Sequence, residues 1–130
     1  MKTAVITGAA GGIGYAAVEK FVSQGYRVVA MDRLGADAAK EKFDPMGESV
    51  LYCGDLSDAE SRRGLLECAY AHLGHVDALI NVAGVAPRQR NDILSMTEES
   101  YDFVMDINAK GTFFLTLLLA NKMIGHAPDK

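Results

Sequence analysis

At 130 residues the chain is sized for one domain, with a core large enough to fold alone. Hydrophobic residues make up 49% and charged residues 23%, the balance of a soluble globular domain rather than of a disordered tract. A net charge of −4 excludes the basic surplus of a nucleic-acid binder, and Arg62-Arg63 and Arg88-Gln89-Arg90 read as short solvated pairs.

Lys2 precedes an apolar run far shorter than that of a secretory signal, so the chain is expected in the cytoplasm. The longest apolar stretch, Phe113 to Ala120, is interrupted by Thr116 and too short to cross a bilayer, so no membrane partner is expected. Cys53 and Cys68 form no metal or redox motif and read as small buried hydrophobes. His72, His75 and His126 have no metal-ligand spacing, so no metal is expected.

In chain order, Lys2 to Thr7 reads as a buried strand. Thr7-Gly8-Ala9-Ala10-Gly11-Gly12-Ile13-Gly14 then opens a helix whose apolar face carries Ile13, Ala16, Ala17, Phe21 and Val22, ending at Gly25. Glycines are costly to order, and four between a strand and a helix point to a backbone brought close to a ligand. A pyrophosphate on the helix N-terminus is the chemistry that such a turn suits. Arg27 to Asp32 is a second strand, completing a strand–helix–strand unit with a right-handed crossover. Asp32, at its end, is placed to accept hydrogen bonds from an adenosine ribose, the alternative being a simple turn residue.

A short exposed helix is expected from Gly35 to Phe43, closed by Pro45 and Gly47, followed by a third strand, Ser49 to Cys53. Ser57-Asp58-Ala59-Glu60 has capping-box spacing with Ser57 as the cap, and the helix it opens runs to Gly74. Val76 to Val82 is a fourth strand. Regularity lapses between Val85 and Ser95, where Arg88 and Arg90 read as solvated, with contact to an acidic substrate as the alternative. Thr97, with Glu98 and Glu99, starts a helix running to about Met123. Its second half is apolar almost all round, so one face needs a partner besides the sheet. The whole reads as a single α/β domain, residues 1–130, with a parallel sheet.

Four motifs in order resemble the N-terminal, cofactor-binding half of the short-chain dehydrogenase/reductase family. The glycine loop matches Thr-Gly-x-x-x-Gly-x-Gly, and Asp55-Leu56 matches an Asp-Leu pair whose carboxylate contacts adenine. Asn81-Val82-Ala83-Gly84 is similar to Asn-Asn-Ala-Gly, with Val82 replacing the second Asn. Asn108-Ala109-Lys110-Gly111-Thr112-Phe113 matches Asn-x-x-Gly-x-Phe. The resemblance implies a Rossmann-like doubly wound sheet, of which strands in the order 3-2-1-4 fall here, out of 3-2-1-4-5-6-7. It implies dinucleotide contacts from Thr7, Gly8, Gly11, Gly12, Ile13, Gly14, Asp32, Arg33, Asp55, Leu56, Asn81, Ala83 and Gly84. It also implies a catalytic role for Asn108, a buried amide holding a water at a helix irregularity and feeding a proton relay. Gly111 inside the helix implies close packing.

Asp32 would repel a 2′-phosphate, and Ala9, Ala10 and Gly11 offer no cation for one, so NAD is expected over NADP. Arg33 is the residue that would favour NADP. The family's proton donor is a serine with Tyr-x-x-x-Lys. Four positions after Tyr15, Tyr26, Tyr52, Tyr70 and Tyr101 stand Glu19, Ala30, Leu56, Gly74 and Met105, none of them lysine. The chain is therefore expected to be a truncated portion of a longer oxidoreductase acting on an alcohol or carbonyl, inactive alone. It is expected to form a homo-oligomer through the last helix. The alternatives are a non-catalytic dinucleotide module, such as a sensor or pseudoenzyme, and an interaction protein completing a partner's fold.

Overall fold

The computed structural model describes residues 1–33, 35, 40–43 and 47–125. Four parallel strands, β1 (Thr3–Thr7), β2 (Arg27–Asp32), β3 (Ser49–Cys53) and β4 (Ala78–Ile80), form one sheet in the order β3-β2-β1-β4. All five residues of β1 are buried, because helices cover both sides of the sheet. Alternation along each strand divides its side chains between two cores. Val5, Val29 and Met31 face α3 (Ala59–Leu73) and α5 (Thr112–Gly125), meeting Leu65, Ala69, Leu115 and Leu119. Ala4, Ile6, Val28 and Ala30 face α1 (Gly12–Ser23) and the short α2 (Lys40–Phe43), meeting Val18 and Phe43. The result is the α/β three-layer, doubly wound arrangement expected from the alternation of strands and helices.

Several local expectations change. Phe43 is buried, edge-on to Tyr15 with ring centroids 5.6 Å apart, so its segment is not simply an exposed helix. Residues 36–39 of that expected helix, and the Pro45 expected to close it, lie outside the described residues. The cap of α3 is Asp58, which accepts from Ser61 N at 3.1 Å. Ser57 is diverted, its N–H and hydroxyl both donating to Asp55 Oδ1 at 2.9 and 2.6 Å. Arg62 is not solvated. It is buried, with Nη1 donating to the Leu56 carbonyl at 2.8 Å, whereas Arg63 pairs with Glu60 on the surface.

β4 is shorter than its apolar run, because the N–H groups of Val82 and Ala83 leave the ladder to donate to Thr7 Oγ1, each at 3.2 Å. α4 (Glu98–Met105), capped by Thr97 as expected, passes through a π-helical turn at Asp106–Gly111 into α5. The continuous helix Glu98–Gly125 is long and apolar enough to cross a membrane by length and composition, which the shorter run from Phe113 did not suggest. Leu115 and Leu119 lie fully buried in the core beside the sheet. Phe113, Leu117 and Ile124 stand exposed on its other side.

Candidate functional site

The site gathers at the carboxyl ends of β1, β2 and β4, where open parallel sheets receive their ligands. Gly8 takes a φ of +66°, which only glycine adopts without strain, and turns the chain out of β1. A Cβ there would also lie 2.8 Å from the Ala83 backbone nitrogen and Cα. Gly14 seats α1 on the turn, since a Cβ on it would collide with the Gly8 carbonyl and lie 2.9 Å from Ala9 Cα. By contrast, a Cβ on Gly12 would meet nothing within 4 Å. Gly11 is the N-cap of α1 and supplies no side-chain acceptor, and no acid stands in the first turn. The amino end of α1 therefore presents backbone N–H groups and positive dipole beside open space, which fits an anion. Ile13, expected on the core face, is 78% exposed at this mouth.

Asp32 stands beside the loop, half-buried, its Oδ2 accepting from Ala10 N and its Oδ1 from Arg33 N, both at 2.7 Å. Each oxygen keeps a second acceptor direction. Arg33 extends into solvent. Asp55 is half-buried, and both of its bonds from Ser57 fall on Oδ1, leaving Oδ2 outside them.

Two expected contact residues have interior side chains. Thr7 is 1% exposed and Leu56 6%; the Thr7 hydroxyl accepts from the N–H groups of Val82 and Ala83, and Leu56 joins the core. Asn81 is exposed and reaches Thr116 Oγ1 on α5 at 3.0 Å. Ala83 packs against Gly8, and Gly84 is exposed just beyond.

Asn108 lies in the π turn and is exposed rather than buried. Its amide pairs with the Val85 backbone in both directions, Oδ1 accepting from Val85 N at 2.7 Å and Nδ2 donating to Val85 O at 2.8 Å. Gly111, at the end of the turn, has no room for a side chain, since a Cβ there would lie 2.6 Å from the Leu56 carbonyl oxygen. Thr112 Oγ1 donates to the Ile107 carbonyl at 3.3 Å, five residues back, helping to satisfy the widened turn.

Burial pushes the Tyr52 phenol up, with further push from Cys68, Glu67 and Asp58, and burial alone raises Tyr70. Both move away from the neutral range that proton exchange at a carbonyl needs. Missed by sequence reasoning are Thr116, the partner of Asn81, and Val85, the partner of Asn108. Each pairing joins an asparagine side-chain amide to a hydroxyl or a backbone far away in sequence and carries no local signature.

Comparison with known proteins fits this arrangement. The family model described as short chain dehydrogenase matches residues 2–129. A diacetyl reductase ((S)-acetoin forming) of Staphylococcus epidermidis is 33% identical over 126 residues, covering 95% of this chain and 48% of its own length. The human 3-hydroxyacyl-CoA dehydrogenase type-2 is 32% identical, with 98% of this chain and 50% of its own covered. A 3-oxoacyl-[acyl-carrier protein] reductase from Brucella melitensis, solved in complex with NAD, superposes with a TM-score of 0.89 at 25% identity, over 99% of this chain and 51% of its own. The chain thus spans about half the length of the curated relatives it matches. By its matched motifs, its sheet order and these likenesses, the chain belongs to the short-chain dehydrogenase family of oxidoreductases.

Proposed function

We propose that this chain binds NAD in preference to NADP, as the cofactor-holding part of an oxidoreductase acting on an alcohol or carbonyl. The observation that carries the reading is the uncapped amino end of α1, with open space at Gly12 and the Asp32 carboxylate beside it. When bound, the dinucleotide supplies the acceptor or donor of a hydride. The N–H groups of Gly12 and Ile13 hold its pyrophosphate, and Asp32 accepts from the adenosine ribose while repelling a 2′-phosphate. Asp55 Oδ2 meets the adenine, and the Asn81–Gly84 end of β4 borders the nicotinamide. Asn108 holds Val85 in place beside it. The NAD complex of the Brucella reductase supports the cofactor assignment.

No tyrosine here is followed four residues later by lysine, so these 130 residues bind without turning substrate over. The exposed Phe113, Leu117 and Ile124 of α5 pair with a second copy of the chain. Calorimetric titration with NAD and NADP tests the cofactor reading. Tighter binding of NAD is expected. Tighter NADP would overturn the role of Asp32, and binding of neither would overturn the reading as a whole.

A further inference from the structure

Beyond β4, residues drawn from the stretch between Ala86 and Phe103 line a cleft of about 760 Å³. The guanidinium carbon of Arg88 sits 4.3 Å from the centroid of the Phe103 ring. Such a stack holds a long side chain in one orientation and leaves its planar N–H fork available. Arg90 lines the same cleft, and neither arginine makes an ion pair among the described residues. Two carboxylates are present as well, each with a local reason for its place. Asp92 Oδ1 accepts from Leu94 N at 2.9 Å, and Glu99 stands in the first turn of α4, where the helix dipole favours an acid. The two cations therefore remain free to meet a ligand.

The cleft is also well sited. Its loop leaves the carboxyl end of β4 immediately after Ala83 packs on Gly8, and Val85 is clamped by Asn108. We propose that this cleft binds an oxyanion, a carboxylate or phosphate carried by a small molecule, with Arg88 on Phe103 as the fork-shaped anchor and Arg90 as a second cation. Both arginines are exposed at the same cleft, and one of them lies over an aromatic ring. Identifying the ligand as the substrate rests on the dinucleotide reading above, whereas the oxyanion binding itself does not.

The test is titration of the chain with malonate and, separately, inorganic phosphate, followed by NMR at the arginine Nε–H groups, with NAD binding scored in the same samples. Saturable shifts at Arg88 and Arg90 are expected, with the Gly12 and Ile13 amides reporting separately on α1. Arg88→Gln is expected to weaken binding by about tenfold or more. Phe103→Leu should weaken it about two- to fivefold. Arg63→Gln, on α3 and paired with Glu60, should leave it unchanged. Tighter malonate identifies a carboxylate ligand and tighter phosphate a phosphorylated one. No saturable shift at either arginine, or undiminished affinity in the Arg88→Gln/Arg90→Gln double variant, overturns the proposal. Oxyanion binding without NAD binding overturns only the dinucleotide reading.

Discussion

Exchanging alanine for glycine at two positions of the same loop should produce opposite results. At Gly8, an alanine must hold φ at +66° and fit a methyl group 2.8 Å from the Ala83 backbone, which has no side-chain freedom to yield. The left-handed conformation costs an L-residue about 1–2 kcal/mol. Forcing a methyl into a filled space adds about 1–3 kcal/mol. Gly8→Ala should therefore lose about 2–5 kcal/mol, a large part of the roughly 5–15 kcal/mol that such a domain possesses. At Gly12 the φ is not positive and no atom lies within 4 Å of the added carbon. Gly12→Ala should leave stability unchanged or raise it by up to about 1 kcal/mol, because alanine has fewer unfolded conformations to lose. Yet its methyl would occupy the space assigned to the pyrophosphate, so NAD affinity should fall at least about tenfold. Urea unfolding and calorimetric titration of both variants separate the two effects. A loss below about 1 kcal/mol at Gly8, or unchanged NAD affinity at Gly12, would refute the reasoning.

Other positions give independent checks. Asn108→Ala removes both bonds to Val85 and, at an exposed site, should cost about 1 kcal/mol; faster hydrogen exchange at the Val85 amide would report it. Thr7→Val strips the acceptor shared by Val82 and Ala83 N–H and should destabilise by about 2–4 kcal/mol, read from the urea midpoint. Burial pushes the Asp77 carboxyl up, but the Thr3 N–H and the His75 ring outweigh it and hold it below its ordinary value of 3.8. A carboxyl that binds protons less readily when folded contributes stability above pH 3.8 and loses it as pH falls through the depressed value. Asp77→Asn should therefore be less stable at neutral pH and show a flatter decline between pH 5 and acid, by thermal melts across about that range. Sedimentation should show self-association that Leu117→Glu abolishes, since Leu117 is exposed on the apolar side of α5.

The sheet order and the glycine turn could be read in advance because they are written in local pattern and contiguous motif. What escaped belongs to contacts between distant residues. The Thr7 hydroxyl reads as the last polar atom of a strand until β4 is laid beside it and two N–H groups need an acceptor. Ser57 and Asp58 are both good caps, and Asp55, three residues before Asp58, decides between them by holding Ser57. Arg62 sits in a charged, surface-like stretch, yet the carbonyl of Leu56 draws it inward. Ile13 fits the apolar spacing of α1 but faces the mouth, because Gly14, not Ile13, must meet the turn. Arg88 and Phe103 are fifteen residues apart, across an irregular loop that no periodicity describes.

The double seal between β1 and β4, a hydroxyl shared by two amides and a glycine pressed to Ala83, has a thermodynamic consequence. These contacts join the turn proposed to receive the phosphates to the stretch that leads into the loop carrying the two arginines. Any coupling between occupants of the two would pass through this contact, and linkage makes it reciprocal. Whatever factor a bound anion at Arg88 imposes on NAD, NAD must impose equally on the anion. Thr7→Val would loosen that bond and bring the factor towards one, even with every ligand-facing residue intact.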